Sequence, residues 1–298
     1  MKEAKNLGEL KKNGQPVLTV REEMRKNLVH YLETATRILP GIVGYDDTVI
    51  PDIENAILSG HHMVFLGERG QAKSRVIRGL VSLLDERIPI VQGCEISDNP
   101  CAPICRSCRR RLEKEGDALP VEWIGREQRY GEKLATPDVS IADIIGEIDP
   151  IKVAEGRYLA DEETIHYGLI PRTNRGSFAI NELPDLTEKV QVGLFNLMEE
   201  KDVQIKGYKI RLPLDVVIVA SANPEDYTSR GRIITPLKDR FDVQIRTHYP
   251  RTIQDELLIM EQEAAPSSQR SKPVLVPQFM KEILGYMTFE ARKSNEIN

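Results

Sequence analysis

Hydrophobic positions change their period several times along the chain, and each change predicts an element. Thr19 and Glu22 read as a capping box, and Met24, Leu28, Tyr31, Leu32 and Ala35 recur at helical spacing up to Pro40. The first fifteen or so residues are rich in Lys, Asn and Gly and are expected to fray. A turn-rich apolar patch, Pro40 to Tyr45, leads into a helix carrying Val49, Ile53, Ala56 and Ile57. The run Met63-Val64-Phe65-Leu66 then reads as a strand. Val76, Ile77, Leu80, Val81 and Leu84 return to the helical period, and Ile88 to Val91 predicts a second strand, which Pro89 confines to an edge or a strand start. Residues 94–134 break the rhythm and read as an insertion, and 135–176 continue the detour with Val139, Ile141, Ile144 and Ile145.

Regular structure resumes at Ser177 to Glu182, a buried strand ending in polar residues. A helix follows with Val190, Leu194, Phe195 and Met198 on one face. Alternation at Val203 and Ile205, and at Tyr208, Ile210 and Leu212, on either side of Lys206-Gly207 predicts a β-hairpin. Val216 to Ala220 is continuously apolar, as in a parallel strand covered on both faces. A last strand is expected at Phe241 to Ile245, then a helix with Leu257, Leu258 and Met260, a linker at 266–273 and a final helix with Phe279, Ile283, Leu284 and Met287.

Between the first strand and its helix lies Gly67-Glu68-Arg69-Gly70-Gln71-Ala72-Lys73-Ser74. Strand, Gly-containing loop and helix in that order form a phosphate-binding layout. Loop N–H groups and a helix N-terminus face an anion, a Lys reaches the outer phosphates and a hydroxyl holds Mg²⁺. Lys73 and Ser74 take the last two roles. Ala72 stands where the pattern expects Gly, so close phosphate approach is hindered but not excluded.

Strand ends are where ligands sit in open α/β sheets. Glu182 ends one strand and can position or deprotonate an attacking water; Asn223 ends another and can bond the γ-phosphate or that water. Asn181 occupies the position where an Asp would help to hold Mg²⁺, and its neutral amide lowers the expected metal affinity and turnover. Arg240 is the candidate arginine finger, with Arg230 and Arg232 as fallbacks. His61-His62 reads as structural.

A net charge of −5 over 298 residues gives no global reason to expect nucleic acid or an anionic membrane as the main partner. One Trp and few other aromatic residues argue against a base-stacking surface. With no long apolar stretch and no signal-peptide pattern, the chain is expected to be soluble and cytoplasmic. All four cysteines, Cys94, Cys101, Cys105 and Cys108, fall within fifteen residues. In a cytosolic chain that grouping favours a metal site, with tetrahedral Zn²⁺ first, an iron–sulfur cluster as a lesser alternative and redox-active or structural thiols as the remainder. The adjoining Arg106, Arg109, Arg110 and Arg111 form a solvated face or, less simply, a contact for nucleic acid or an acidic partner.

In this order the motifs resemble those of the AAA+ ATPases, specifically the group with the magnesium chelatase I subunit and the MoxR-type ATPases. The resemblance spans about residues 38–292. It takes Gly67 to Ser74 as Walker A, Phe178 to Glu182 as Walker B, Ser221-Ala222-Asn223 as sensor 1 and Asp239-Arg240-Phe241 as the arginine-finger box. Gly168 to Gly176 resembles the helix-2 insert, and the 203–212 hairpin the pre-sensor-1 insertion. The resemblance implies a P-loop three-layer α/β fold around a parallel sheet. Its expected divisions are an N-terminal helical extension (1–37), a nucleotide-binding domain (38–250) with a Cys-rich insertion (94–134) and a helix-2 insert region (135–176), and part of a C-terminal helical lid (251–298). It further implies ATP and Mg²⁺ as cofactors, Ile42 and Val43 against the adenine, a homo-oligomeric, commonly hexameric ring with Arg240 acting on the neighbour's nucleotide, and a protein client, often one with a von Willebrand A domain. The sequence stops just after Ala291-Arg292, in what resembles the middle of the lid, so either a sensor 2 arginine is missing or the sequence is a fragment.

Overall fold

The computed structural model describes residues 3–14, 17–154, 162–200, 202–205, 208–223, 232–264 and 276–292. Arg230, the hairpin turn Lys206-Gly207, Pro224, the 266–273 linker and the last six residues lie outside the described residues. In chain order the helices are α1 (Leu7–Lys12), α2 (Val20–Glu33), α3 (Val49–Leu58), α4 (Lys73–Gly79), α5 (Arg106–Glu115), α6 (Ile141–Ile144), α7 (Pro150–Ala154), α8 (Leu169–Arg172), α9 (Glu188–Glu199), α10 (Thr235–Lys238), α11 (Ile253–Ala264) and α12 (Gln278–Ala291). The strands are β1 (Met63–Leu66), β2 (Arg87–Val91), β3 (Val121–Gly125), β4 (Tyr130–Leu134), β5 (Gly146–Ile148), β6 (Ile165–Tyr167), β7 (Gly176–Asn181), β8 (Asp202–Ile205), β9 (Tyr208–Arg211), β10 (Val216–Ala222) and β11 (Val243–Arg246).

Five strands form the central sheet in the order β11-β1-β10-β7-β4, all parallel. Alternate residues along a strand point to opposite faces, so Phe178, Ile180, Ile218 and Ala220 enter one core and Ala179, Val217, Val219 and Met63 the other. Helices cover both faces, which is the three-layer P-loop arrangement of the AAA+ fold. The expected capping box of α2 is present: Glu22 N–H donates to Thr19 Oγ1, and the Glu22 carboxylate accepts from Thr19 N–H.

Three expectations change. The segment before Thr19 does not simply fray: Leu7 and Leu10 face one side of α1 and are buried against the insertion, and Trp123 Nε1 donates to the Ala4 carbonyl. Ile88 to Val91 is a strand, but it pairs antiparallel with β3 in a separate ribbon, with Pro89 opposite Trp123. The place beside β7 goes to β4, whose sequence Tyr-Gly-Glu-Lys-Leu carries no apolar run because it is an edge strand. The insertion therefore gives its last residues, 130–134, back to the central sheet. The final helix forms where expected, as α12; it leaves Phe279, Ile283, Leu284 and Met287 exposed, and its buried residue is Gly285, packed against Leu257. Two smaller hairpins flank the sheet strands in the chain: β5 with β6 ahead of β7, and β8 with β9 ahead of β10. No helix among the described residues is long and apolar enough to cross a membrane.

Candidate nucleotide site

Register places the candidate residues in one row. Leu66 pairs with Ala222 and Ala220 with Ile180, so the residues following β1, β7 and β10, namely Gly67, Glu182 and Asn223, emerge at the same edge of the sheet. Gly67 N–H donates to the Ala222 carbonyl at 3.2 Å, which fixes the start of the loop to the end of β10.

The loop from Gly67 to Ala72 is turned by two residues of positive φ, Gly70 at 78° and Ala72 at 55°. The departure from the motif therefore falls on a left-handed position, where a Cβ costs roughly 1–2 kcal/mol. Gly67 is required by close approach: a Cβ there would lie 2.0 Å from Thr247 Oγ1 and 2.2 Å from Gln71 Oε1, which are themselves hydrogen-bonded at 2.8 Å. The loop is further anchored by Tyr45 Oη donating to the Gln71 carbonyl and by Tyr249 Oη donating to the Arg69 carbonyl, both at 2.8 Å. Lys73 is buried, and its ammonium donates to the carbonyls of Gly67 (2.5 Å) and Glu68 (2.6 Å). Ser74 is exposed in the first turn of α4. Beside the loop opens a cavity of about 530 Å³, lined by Glu68, Gln71, Lys238 and Arg246.

Asn181 and Glu182 are joined to the end of β10 through Ser221. Its hydroxyl donates to Asn181 Oδ1 at 3.3 Å and accepts from Glu182 N–H at 3.2 Å. Glu182 itself has φ 55°, a turn that carries the chain out of the strand. Sequence reasoning missed Glu132 on β4. Asn181 Nδ2 donates to it at 2.5 Å, Arg78 on α4 grips it with two bonds of 2.8 and 2.9 Å, and Tyr130 Oη donates at 3.1 Å. The Arg78 guanidinium holds the Glu132 carboxyl below its ordinary range. The acidic group bonded to Asn181 is thus on the neighbouring strand and already paired; no periodicity could have pointed to it. These residues fit a phosphate-bearing ligand at the loop, while Ser74 and Asn181 offer a divalent cation neutral oxygens only.

Ile42 is buried in the core and Val43 is half-buried, in a segment that meets α11: Gln262 Nε2 donates to the Gly41 carbonyl. Arg240 is apart from the row. It lies just before β11, whose first residue pairs with Met63, so it belongs to the edge where strands begin. Its guanidinium bonds Glu199 at 2.8 Å and lies 5.8 Å from the Phe195 ring centre. Arg232, the fallback, is exposed. His62 is structural: Ile218 N–H donates to Nδ1, and burial holds its pKa at about 4.

The cysteines do not assemble as four. Cys94, Cys105 and Cys108 come together with Asp98, whereas Cys101 is exposed and outside the group. Among the neighbouring arginines, Arg109 pairs with Glu162 and Arg111 with Glu115 and the Gln92 carbonyl, so part of the basic run is answered within the chain.

The profile of the Sigma-54 interaction domain matches residues 153–244. The chain is 26% identical over 232 residues to the magnesium-chelatase 38 kDa subunit of Rhodobacter capsulatus, covering 74% of this chain and 58% of that protein. It is 27% identical over 233 residues to magnesium-chelatase subunit ChlI of Nostoc, covering 75% and 57%. It thus spans less than two thirds of the length of these curated relatives. A cryo-EM-based structure of the complex between the BchI and BchD subunits of magnesium chelatase superposes with a TM-score of 0.52 at 23% identity, covering 85% of this chain and 74% of that one. The relatives and the shared sheet agree with the motifs at its strand ends: the chain has the AAA+ P-loop fold and is similar in sequence to the magnesium-chelatase I subunits.

Proposed function

We propose that the chain binds Mg·ATP at the Gly67–Ser74 loop and hydrolyses it where two copies meet in a ring, six copies in the family's common form, driving remodelling or assembly of a protein partner. A partner with a von Willebrand A domain is the first to try. The observation that carries this reading is the division of the machinery: loop, Glu182 and Asn223 at one edge of the sheet, Arg240 at the other. In a head-to-tail contact the Arg240 of one copy would meet the nucleotide of the next.

Lys73 would exchange its bonds to the Gly67 and Glu68 carbonyls for phosphate oxygens, and Ser74 and Asn181 would hold the cation. Bound Mg²⁺ supplies neutralisation of the β- and γ-phosphate charge. Glu182, whose backbone N–H is held by Ser221, would orient and deprotonate the attacking water; Asn223 would hold the γ-phosphate; Ile42 and Val43 would flank the adenine. Arg240, released from Glu199, stabilises the charge that develops on the transferred group.

A second reading is favoured by one feature. Asn181 carries no charge, and the adjacent Glu132 is occupied by Arg78, which supports an ATP-binding regulatory module that turns over slowly. ATP turnover per chain measured against protein concentration, with Glu182→Gln and Arg240→Ala alongside, separates the two. A rate that rises faster than linearly and disappears in both variants is expected. Tight ATP binding without turnover at any concentration would leave the regulatory module.

A further inference from the structure

The cysteines of the insertion are not among the residues that line the Gly67–Ser74 loop, and their side chains are arranged for a different task. Sγ of Cys94, Cys105 and Cys108 and a carboxylate oxygen of Asp98 all lie within 4.8 Å of one another. Asp98 and two of the thiols are buried, and Cys94 is half-buried. The donors come from three places: the turn after β2, the loop that follows it and the first turn of α5. We propose that they bind a single Zn²⁺ ion through three thiolates and one carboxylate, and that Cys101 is not a ligand.

Distance separates a single ion from a cluster. A tetrahedral ion with thiolates at about 2.3 Å holds its donors about 3.8 Å apart, a spacing that fits within the 4.8 Å that bounds the four atoms. In an iron–sulfur cluster the cysteines bind different irons and must stand further apart. The outer contacts are those of a prepared site. Cys108 N–H donates to Cys105 Sγ at 3.3 Å, stabilising negative charge on that sulfur at the N-terminal end of α5. Asp98 is oriented by N–H bonds from Ile104 (2.9 and 3.0 Å) and Cys105 (2.9 Å). A cavity of about 340 Å³, lined by the three cysteines with Arg111, Lys152 and Glu162, provides the route in. Cys101, by contrast, is exposed, its N–H held by Asn99 Oδ1 at 2.9 Å.

The ion would brace a loop of the insertion that hydrogen bonds already tie to the central sheet. The Ile96 carbonyl, inside the ligand loop, accepts from Asn174 Nδ2, and Asn174 Oδ1 accepts from Asp215 N–H at the start of β10. Metal binding therefore closes a loop that is tied to the strand starts of β7 and β10, far from the nucleotide edge.

The test is metal content of the full chain purified under reducing conditions, followed by replacement with Co²⁺. One zinc per chain is expected in the wild type and in Cys101→Ser, and loss of metal in Cys94→Ser, Cys105→Ser and Cys108→Ser. The Co²⁺ form should absorb with the charge-transfer intensity of three thiolates, and Asp98→Asn should weaken retention against a chelator. Should Asp98→Asn fail to fold, the thiolate count of the wild-type Co²⁺ spectrum still decides. Four-thiolate intensity, loss of metal in Cys101→Ser, iron with acid-labile sulfide, or a wild type without bound metal would each overturn the assignment.

Discussion

Glu23 on α2 and Arg129 at the start of β4 meet as a buried ion pair, and removing one partner is a sharp test of how the N-terminal helix is held. Arg129 Nη1 and Nη2 donate to the two Glu23 oxygens at 2.7 and 2.6 Å, and Nε donates to the Arg175 carbonyl at 2.7 Å. The side chains are 0% and 4% exposed. Glu23→Ala leaves a guanidinium without its counter-charge in a site that water does not reach, at a cost of about 3–5 kcal/mol. At roughly 2–4 °C per kcal/mol for a domain of this size class, that lowers Tm by about 6–20 °C. The exposed pair Lys26–Asp85 serves as the control, since Lys26→Ala should cost about 0–1 kcal/mol. Urea and thermal unfolding of Glu23→Ala, Glu23→Leu, Arg129→Met and the double variant Glu23→Leu with Arg129→Met measure the coupling. The double variant should lose less than either single one. A Glu23→Ala loss no larger than that of Lys26→Ala would refute the reasoning.

Three further outcomes are expected. Gly67→Ala drives a Cβ into Thr247 and Gln71, costing about 1–3 kcal/mol from overpacking and about 1 more from their broken bond, with loss of ATP binding; thermal melts and calorimetric ATP titration read both. Asn181→Asp replaces a donor to Glu132 with a second carboxylate, so the chain should lose about 1–3 kcal/mol without Mg²⁺ yet bind Mg·ATP more tightly; unchanged stability would contradict the contact. His62 has a folded pKa of about 4 against an unfolded 6.5, so the unfolded chain binds the extra proton. Its contribution is complete above pH 6.5 and is lost as pH falls toward 4, at up to about 1.4 kcal/mol per pH unit. Urea melts across that range check the slope, and a His62 ring titrating near pH 6.5 would refute it.

The sheet was legible where strands are buried on both faces, as at Val216 to Ala220, because four β-branched residues in a row resist a helix and need cover on each side. Strand β4 was not, since an edge strand can carry Tyr, Gly, Glu and Lys and still pair with β7. Helix α1 was hidden by its polar neighbours although Leu7 and Leu10 sit at helical spacing. The row formed by the loop, Glu182 and Asn223 followed from motif order. What spacing could not reveal were the contact of Glu132 with Asn181 and Arg78, about fifty residues away in each direction, and the fold of the short 94–108 loop, which groups Asp98 with the three cysteines in place of Cys101. Those depend on three-dimensional register.

The placement of Arg240 at the strand-start edge and of the loop at the strand-end edge has an arithmetic consequence for assembly. Each copy is then both a donor and a receiver, so the proposed sites form only at junctions. An open row of copies always ends with one loop that no arginine reaches and, at its far end, one arginine with nothing to act on. A closed circle has no such ends, and every copy added to it brings one complete site. Closure is thus itself a gain in active sites, independent of any contact energy.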